Sequence, residues 1–391
     1  MVDLVRIASL LIIAFIVQVL FISNGNAATD NLAVYIAKFD SMDQTLQEGE
    51  GYSNYTNESG ALAWGESYIL EAYLDMYEGT KEQKFLAKFV RQTERILENT
   101  DQKRGLHDYK GRSVVGWGAD RYSRNGERII WLAHTSMITY PMARFAWLVN
   151  KYKLKKYKKT AEHYVGVAKV AMAFFDKNWF YDETADKSYY LFEEDEPQND
   201  NSPKPPMPVP FNQQLAAGRT ILMLYLVTGG KSYLIKSRSL AKHFKSNLQT
   251  GRDGSYSWNY WYGKGYDKYK AVEDVSHGAI DVDFAILAYR SGIVFEKKDM
   301  YSFLQTFNNK ISQKGNFADK VDGTGANTYK DSIGRWLELA GFDCRPWNDY
   351  AELLSKGGAV NQVLAMLGIA KVVKYYAECG YNNSIENKIN K

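Results

Sequence analysis

The feature that most constrains the fold is a recurring helical hairpin. Each copy is an amphipathic run, a short Gly- or Lys-rich turn, and a second amphipathic run. The first joins Glu66–Tyr77 to Gln83–Leu97, and the second joins Ala143–Leu148 to Tyr157–Asp176. The third joins Asn212–Val227 to Tyr233–Leu248 across Thr228-Gly-Gly230, and the fourth joins Ala279–Ser291 to Lys298–Ile311 across Gly292. The fifth joins Gly334–Leu339 to Trp347–Leu354 and precedes a last helix over Val360–Tyr376. Apolar residues recur at three and four in each run, the period of an α-helix. The first four turns fall near residues 79, 153, 229 and 292, so the unit recurs at 74, 76 and 63 residues. A near-constant period marks a stacked or closed array, and this one is too long for tetratricopeptide or HEAT units, at about 34 and about 40–47 residues. The expectation is an all-α fold, an (α/α)n toroid of five to seven hairpins with long loops on one rim. An open solenoid is the alternative.

Long insertions separate the hairpins, at 100–130, 178–210, 250–276 and 312–333. They carry many of the aromatic residues of a chain that holds 29 Tyr and 9 Trp among its 391 residues. One reads Trp117-Gly-Ala-Asp-Arg121-Tyr122 with Arg124 nearby, another Gly254-Ser-Tyr256-Ser-Trp258-Asn-Tyr260-Trp261. The stretch Pro203–Pro210 feeds Phe211, and Val321–Tyr329 contains a Gly-Thr-Gly that lacks the Lys-Ser/Thr of a phosphate loop. Loops on a rigid scaffold are where binding residues concentrate. Aromatic rings beside polar groups suit sugar rings, which are apolar on their faces and hydroxylated at their edges. On this reading Trp117, Arg121, Arg124 and Trp258 line subsites.

The N-terminus follows the plan of a secretory signal. Asp3 and Arg6 precede a charge-free apolar run from Ile7 to Ser23, and Ala27 offers a small-residue cleavage site. Residues 1–27 are therefore expected to be a signal peptide or an uncleaved anchor, and 28–391 a single periplasmic or secreted domain. Cys344 and Cys379 either pair as one disulfide, which an exported chain can oxidise, or remain as two thiols. The net charge of +4 has no block of like charge behind it, so nucleic acid is not an expected partner. No CxxC or HxxxH spacing calls for a metal, and no cofactor is expected.

The densest polar run is Glu273-Asp-Val-Ser-His-Gly-Ala-Ile-Asp-Val-Asp283. Asp274 or Ser276 can cap the helix that starts there. That leaves His277 unexplained, because positive charge is unfavourable at a helix N-terminus, and a neutral catalytic imidazole is the expectation. His134 and Asn212-Gln213 likewise open helices after long loops, so in a toroid His134, Asn212 and His277 converge on one rim. His107, His163 and His243 read as surface residues. If residues 254–261 are extended, Tyr256, Trp258 and Tyr260 share a face.

Two chemistries fit these parts. Removing the C5 proton of a uronic acid needs its carboxylate neutralised, by Asn212, Gln213 and His134, and a base and acid, from Tyr260 or Tyr256 with His277. Hydrolysis by two carboxylates would instead draw on Glu273, Asp274, Asp281, Asp283 or Glu66. Asp281 and Asp283 lie two apart on a helix and so point apart.

The strings Pro210-Phe-Asn-Gln-Gln-Leu-Ala-Ala-Gly-Arg219, Tyr256-x-Trp258-x-Tyr260 and Glu273-Asp-Val-Ser-His-Gly278 resemble α/α-toroid polysaccharide lyases, most closely those acting on alginate or glucuronan. Gly334-Arg335-Trp336-Leu337 fits such toroids too. The resemblance implies a monomeric lyase cleaving an anionic, uronate-containing polysaccharide by β-elimination, with Asn212, His277 and Tyr260 or Tyr256 catalytic and Arg335 binding substrate. The related glucuronyl C5-epimerases use similar proton chemistry but generally carry extra β domains, for which this chain has little room. A glycoside hydrolase and a non-catalytic glycan-binding protein, both on the same scaffold, complete the alternatives.

Overall fold

The computed structural model describes residues 31–182, 187–198, 207–263, 269–313, 315–358 and 361–380. The signal segment and the start of the proline-rich stretch lie outside them. Twelve of the helices among the described residues alternate between two rings. The odd-numbered helices are outer: α1 (31–45), α3 (Gln83–Glu98), α5 (Lys158–Ala173), α7 (Lys231–Lys245), α9 (Lys297–Gln305) and α11 (Arg345–Ser355). The even-numbered are inner: α2 (Ser67–Thr80), α4 (Leu132–Lys151), α6 (Phe211–Thr228), α8 (Val275–Arg290), α10 (Lys330–Gly341, wound as a 3₁₀ helix) and α12 (Gln362–Lys374). Each inner helix packs on the next, and α12 packs back on α2, so the ring closes. The expected toroid is thus an (α/α)6 array. The sixth outer helix is α1, which the sequence reading did not assign.

Burial separates the rings. The outer helix α3 buries Phe85, Leu86, Phe89, Ile96 and Leu97 and leaves its other side in water, the pattern of a one-faced helix. The inner helix α2 is buried without a break from Ser67 to Tyr77, because neighbours cover it on every side. Phe89 stacks on Phe145 at 4.8 Å, joining α3 to α4. Each large apolar side chain so buried stabilises the fold by roughly 1.5–3 kcal/mol.

Inner-to-outer connections are short, such as 81–82 and 229–230. Gly229 ends α6 in the left-handed conformation, with φ 70°, and returns its N–H to the Tyr225 carbonyl at 2.7 Å. Outer-to-inner connections lie on the opposite rim and, except for 356–361 between α11 and α12, are long. Three two-stranded antiparallel ribbons stiffen them: β1 (Trp179–Asp182) with β2 (Lys187–Tyr190), β3 (Gln249–Thr250) with β4 (Tyr256–Ser257), and β5 (Ser312–Gln313) with β6 (Asn316–Phe317).

Cys344 and Cys379 form a disulfide that ties the start of α11 to the chain beyond α12. No helix among the described residues is long and apolar enough to cross a membrane. His243 is not a surface residue: it is buried and lies between Tyr189, Phe211 and Tyr262.

The α10–α12 seam depends on glycine. A Cβ on Gly334 would lie 2.7 Å from the Gly368 Cα and 2.8 Å from the Tyr350 ring. Gly334→Ala is expected to lower unfolding free energy by about 1–3 kcal/mol through overpacking, measurable by denaturant titration. An unchanged midpoint would show that the seam can relax.

Candidate active site

The six inner helices run in the same direction, so their N-terminal ends share the long-loop rim. A cavity of about 500 Å³ opens there. Every inner helix reaches it from its first turns or the residues just before: Trp64 and Tyr68, His134, Asn212 and Gln213, Ser276 and His277, Arg335, and Asn361 and Leu364. The long loops add Tyr122, Trp131, Phe192, Gln198, Tyr260 and Trp261.

His277 sits on one wall with its side chain 39% exposed. Asp274 caps α8, its Oδ1 accepting the Ser276 and His277 N–H groups at 2.9 Å each. The other Asp274 oxygen lies 2.7 Å from His277 Nδ1, and Glu273 Oε1 lies 3.6 Å from the same nitrogen. Burial works against a charged imidazole, yet the two carboxylates outweigh it and lift its pKa to about 10. His277 is therefore a cation at neutral pH, which corrects the expectation of a neutral ring. The carboxylates supply what the helix terminus does not. Burial also works to raise the Asp274 carboxyl, but His277 and the capped N–H groups hold it below its usual range. Burial raises Glu273, which is wholly enclosed. Asp281 is raised by burial and by Glu273, and accepts the Trp258 indole N–H at 2.8 Å.

Tyr260 stands beside His277, the ring centroids 5.5 Å apart, and burial followed by Glu273 raises its phenol. Backbone bonds hold it: its N–H donates to Ala271, and its carbonyl accepts from Phe211 at the start of α6. The Asn212 Oδ1 and Gln213 Oε1 atoms are buried with no protein partner.

His134 has a different character. Trp64 Nε1 lies 3.0 Å from its Nε2 and Asn57 Nδ2 lies 3.2 Å from its Nδ1. Burial lowers its pKa to about 3, and the Trp64 N–H donated to Nε2 leaves that nitrogen an acceptor. It is a neutral wall residue that anchors Trp64 and the Asn57 loop.

The structure gathers Tyr260, His277, Asn212, Gln213, His134 and Arg335 at one cavity, with Glu273 and Asp274 behind His277. It removes five other candidates from the cavity. Tyr256 turns outward and donates to Asp299 at 2.7 Å, because only Tyr256–Ser257 is a strand and the alternation does not reach Tyr260. Trp258 is a core residue held by Asp281. Trp117 is fully buried and donates to the Ile96 carbonyl at 2.9 Å. Arg121 and Arg124 are exposed on the rim and do not line the cavity. Glu66 is a buried structural carboxyl bonded to the Tyr52 N–H, and Asp283 pairs with Arg219 at 2.7 Å. Sequence reasoning missed Trp64, Tyr68 and Asn361. Trp64 lies in the wide helical turn Leu62–Glu66 that leads into α2, which no spacing in the sequence marked.

Ligand-type atoms of Glu273, Asp274 and His277 lie within 4.8 Å of one another and could hold a metal ion. No Asp or Glu among the described residues lines the cavity itself.

No protein-family model matches the chain, and no curated protein matches it. Solved structures do, at the level of the fold. An α-1,6-mannanase of glycoside hydrolase family 76 from Salegentibacter sp. HEL1_6 matches over 88% of this chain and 98% of its own, with a TM-score of 0.54 and 14% identity. Its inactive variant, with two aspartates replaced by asparagine, was solved with α-1,6-mannotriose. A family 76 glycoside hydrolase (mannosidase) from Bacteroides thetaiotaomicron matches over 92% of this chain and 100% of its own, with a TM-score of 0.52 and 14% identity. The likeness establishes the α/α toroid fold. It also overturns the lyase expectation: these neighbours are hydrolases, so β-elimination, alginate and glucuronan are set aside.

The pairing makes a titration prediction. The His277 pKa is raised above its usual 6.5, so its ion pairs stabilise the fold fully below pH 6.5 and are lost as pH rises through about 10. The His134 pKa is lowered, so the fold loses stability as pH falls from 6.5 towards 3, where only the unfolded ring takes up a proton. Imidazole NMR should show neither ring titrating between pH 7 and 8. In Asp274→Asn the His277 titration should move down. A wild-type His277 midpoint near 6.5 would contradict the pairing.

Proposed function

We propose that the protein is an exported glycoside hydrolase acting at the N-terminal mouth of the toroid. The observation that carries this is His277, half-buried beside Asp274 and Glu273 on the wall of an aromatic-lined cavity of glycan size. Trp64, Trp131, Tyr260 and Trp261 offer ring faces to sugars, while Asn212, Gln213 and Gln198 offer polar edges. In this reading His277 gives its proton to the leaving glycosidic oxygen as the bond to the anomeric carbon breaks. Water adds to that carbon, and its surplus proton returns to the Asp274–His277 pair. Glu273 keeps the imidazole charged and oriented. The disulfide is consistent with an oxidising compartment, and no Asp or Glu among the described residues lines the cavity, which favours an acidic glycan over a neutral one.

A second reading is a glycan-binding protein without turnover. The specific observations favouring it are that no carboxylate among the described residues lines the cavity and that the sequence holds no Asp-Asp pair.

Reducing-end release from a panel of neutral and acidic polysaccharides decides between them. Hydrolysis requires new reducing ends that fall at least about 100-fold in His277→Ala and Asp274→Asn, with folding intact. Tyr260→Phe should lose less, since its phenol is not the proton donor. Glycan binding without any new ends would leave the second reading.

A further inference from the structure

We infer that the cavity contains a built receptor for the anionic group of an acidic sugar, centred on Arg335. Its side chain belongs to α10, is only 7% exposed, and faces the cavity. One Nη donates to Ser276 Oγ at 3.2 Å, and the guanidinium lies 4.7 Å from the Tyr68 ring centroid. No ion pair among the described residues includes it. The other buried arginines differ: Arg144 pairs with Asp75 and Glu78, and Arg219 with Asp283 and Glu71. A buried charge without a counter-charge is costly. A guanidinium also carries five N–H donors in a fork that matches a carboxylate or sulfate.

Two features of the surroundings point the same way. The inner helices bring the positive ends of their dipoles to this mouth. No carboxylate among the described residues lines the cavity to compete for the guanidinium. Tyr68 and Ser276 fix the fork, so an entering anion meets a donor set already in place. The sugar bearing that anion therefore sits against α8, α10 and α12, with Asn361 at its edge. This inference rests on the glycan reading of the cavity, and it separates the chain from neighbours solved with a neutral mannan fragment.

The test is a binding measurement, independent of turnover. Calorimetry would compare uronic-acid oligosaccharides of several epimers with their carboxyl-reduced counterparts, with sulfated oligosaccharides, and with α-1,6-mannotriose. At least one acidic member is expected to bind ten-fold or more tightly than its neutral counterpart. Whether a carboxylate or a sulfate gives that preference identifies the anion. In Arg335→Leu the acidic-to-neutral ratio should collapse towards one, and Arg335→Lys, which keeps charge but loses the fork, should retain part of it. Thermal unfolding of both variants controls for folding. Equal affinity for acidic and neutral members, no binding to any acidic member, or a preference that survives Arg335→Leu would overturn the inference. Hydrolysis of a neutral glycan without acid preference would overturn it while sparing the proposed function. Acid-selective binding without hydrolysis would do the reverse.

Discussion

Six inner helices pointing the same way set the character of the whole molecule. Closing such a ring places six N-termini at one mouth and six C-termini at the other, and the two mouths need opposite chemistry. At the C-terminal mouth, cations occupy the later turns and bind buried acids. Lys371 and Lys374 both reach Glu338 at 2.6 Å, and Arg144 reaches Glu78 at 2.6 Å. This network crosses from α4 through α2 to α12 and α10, so it also locks the last helices to the first. Its charges are spent on one another. Among the described residues the N-terminal mouth has no such network: Arg335 has no acid partner there, and the acids stand behind His277.

That asymmetry explains why the long loops matter. Short turns suffice at the C-terminal mouth, where the helices satisfy themselves. At the other mouth, loops descend over the helix starts and are fastened to them by aromatic and backbone contacts. Trp261 donates to the Pro208 carbonyl at 3.0 Å, and Trp64 is gripped by His134. The same anchoring that builds the cavity walls leaves sugar-sized space between the rings, with His277 and Arg335 as its two cations.

The hairpin period and the glycine turns made the toroid readable from the sequence, since each turn reports a helix reversal. Convergence of His134, Asn212 and His277 followed from topology alone. Side-chain direction did not. Tyr256 and Tyr260 were placed on one face by strand alternation, but the chain leaves the strand after Ser257 and the two rings part. Trp117 and Trp258 have composition suited to sugar binding, yet both are core, because an indole buried with its N–H satisfied looks the same in sequence as one facing solvent. The charge of His277 was misread because its position argued against a cation. Only the geometry shows the two carboxylates that reverse that argument. The lyase resemblance rested on strings of which Asn212, Tyr260 and His277 meet at the cavity while Tyr256 and Trp258 do not, and on a fold shared with hydrolases.

A crystal structure of the protein soaked with oligosaccharides tests most directly whether the N-terminal mouth is the functional site. The account predicts a sugar in the 500 Å³ cavity, with a ring face on Trp64, Tyr260 or Trp261 and a glycosidic oxygen within hydrogen-bond reach of His277. Sugar bound instead at the C-terminal mouth, in the 570 Å³ cavity between Glu78, Arg144 and Lys374, would contradict it.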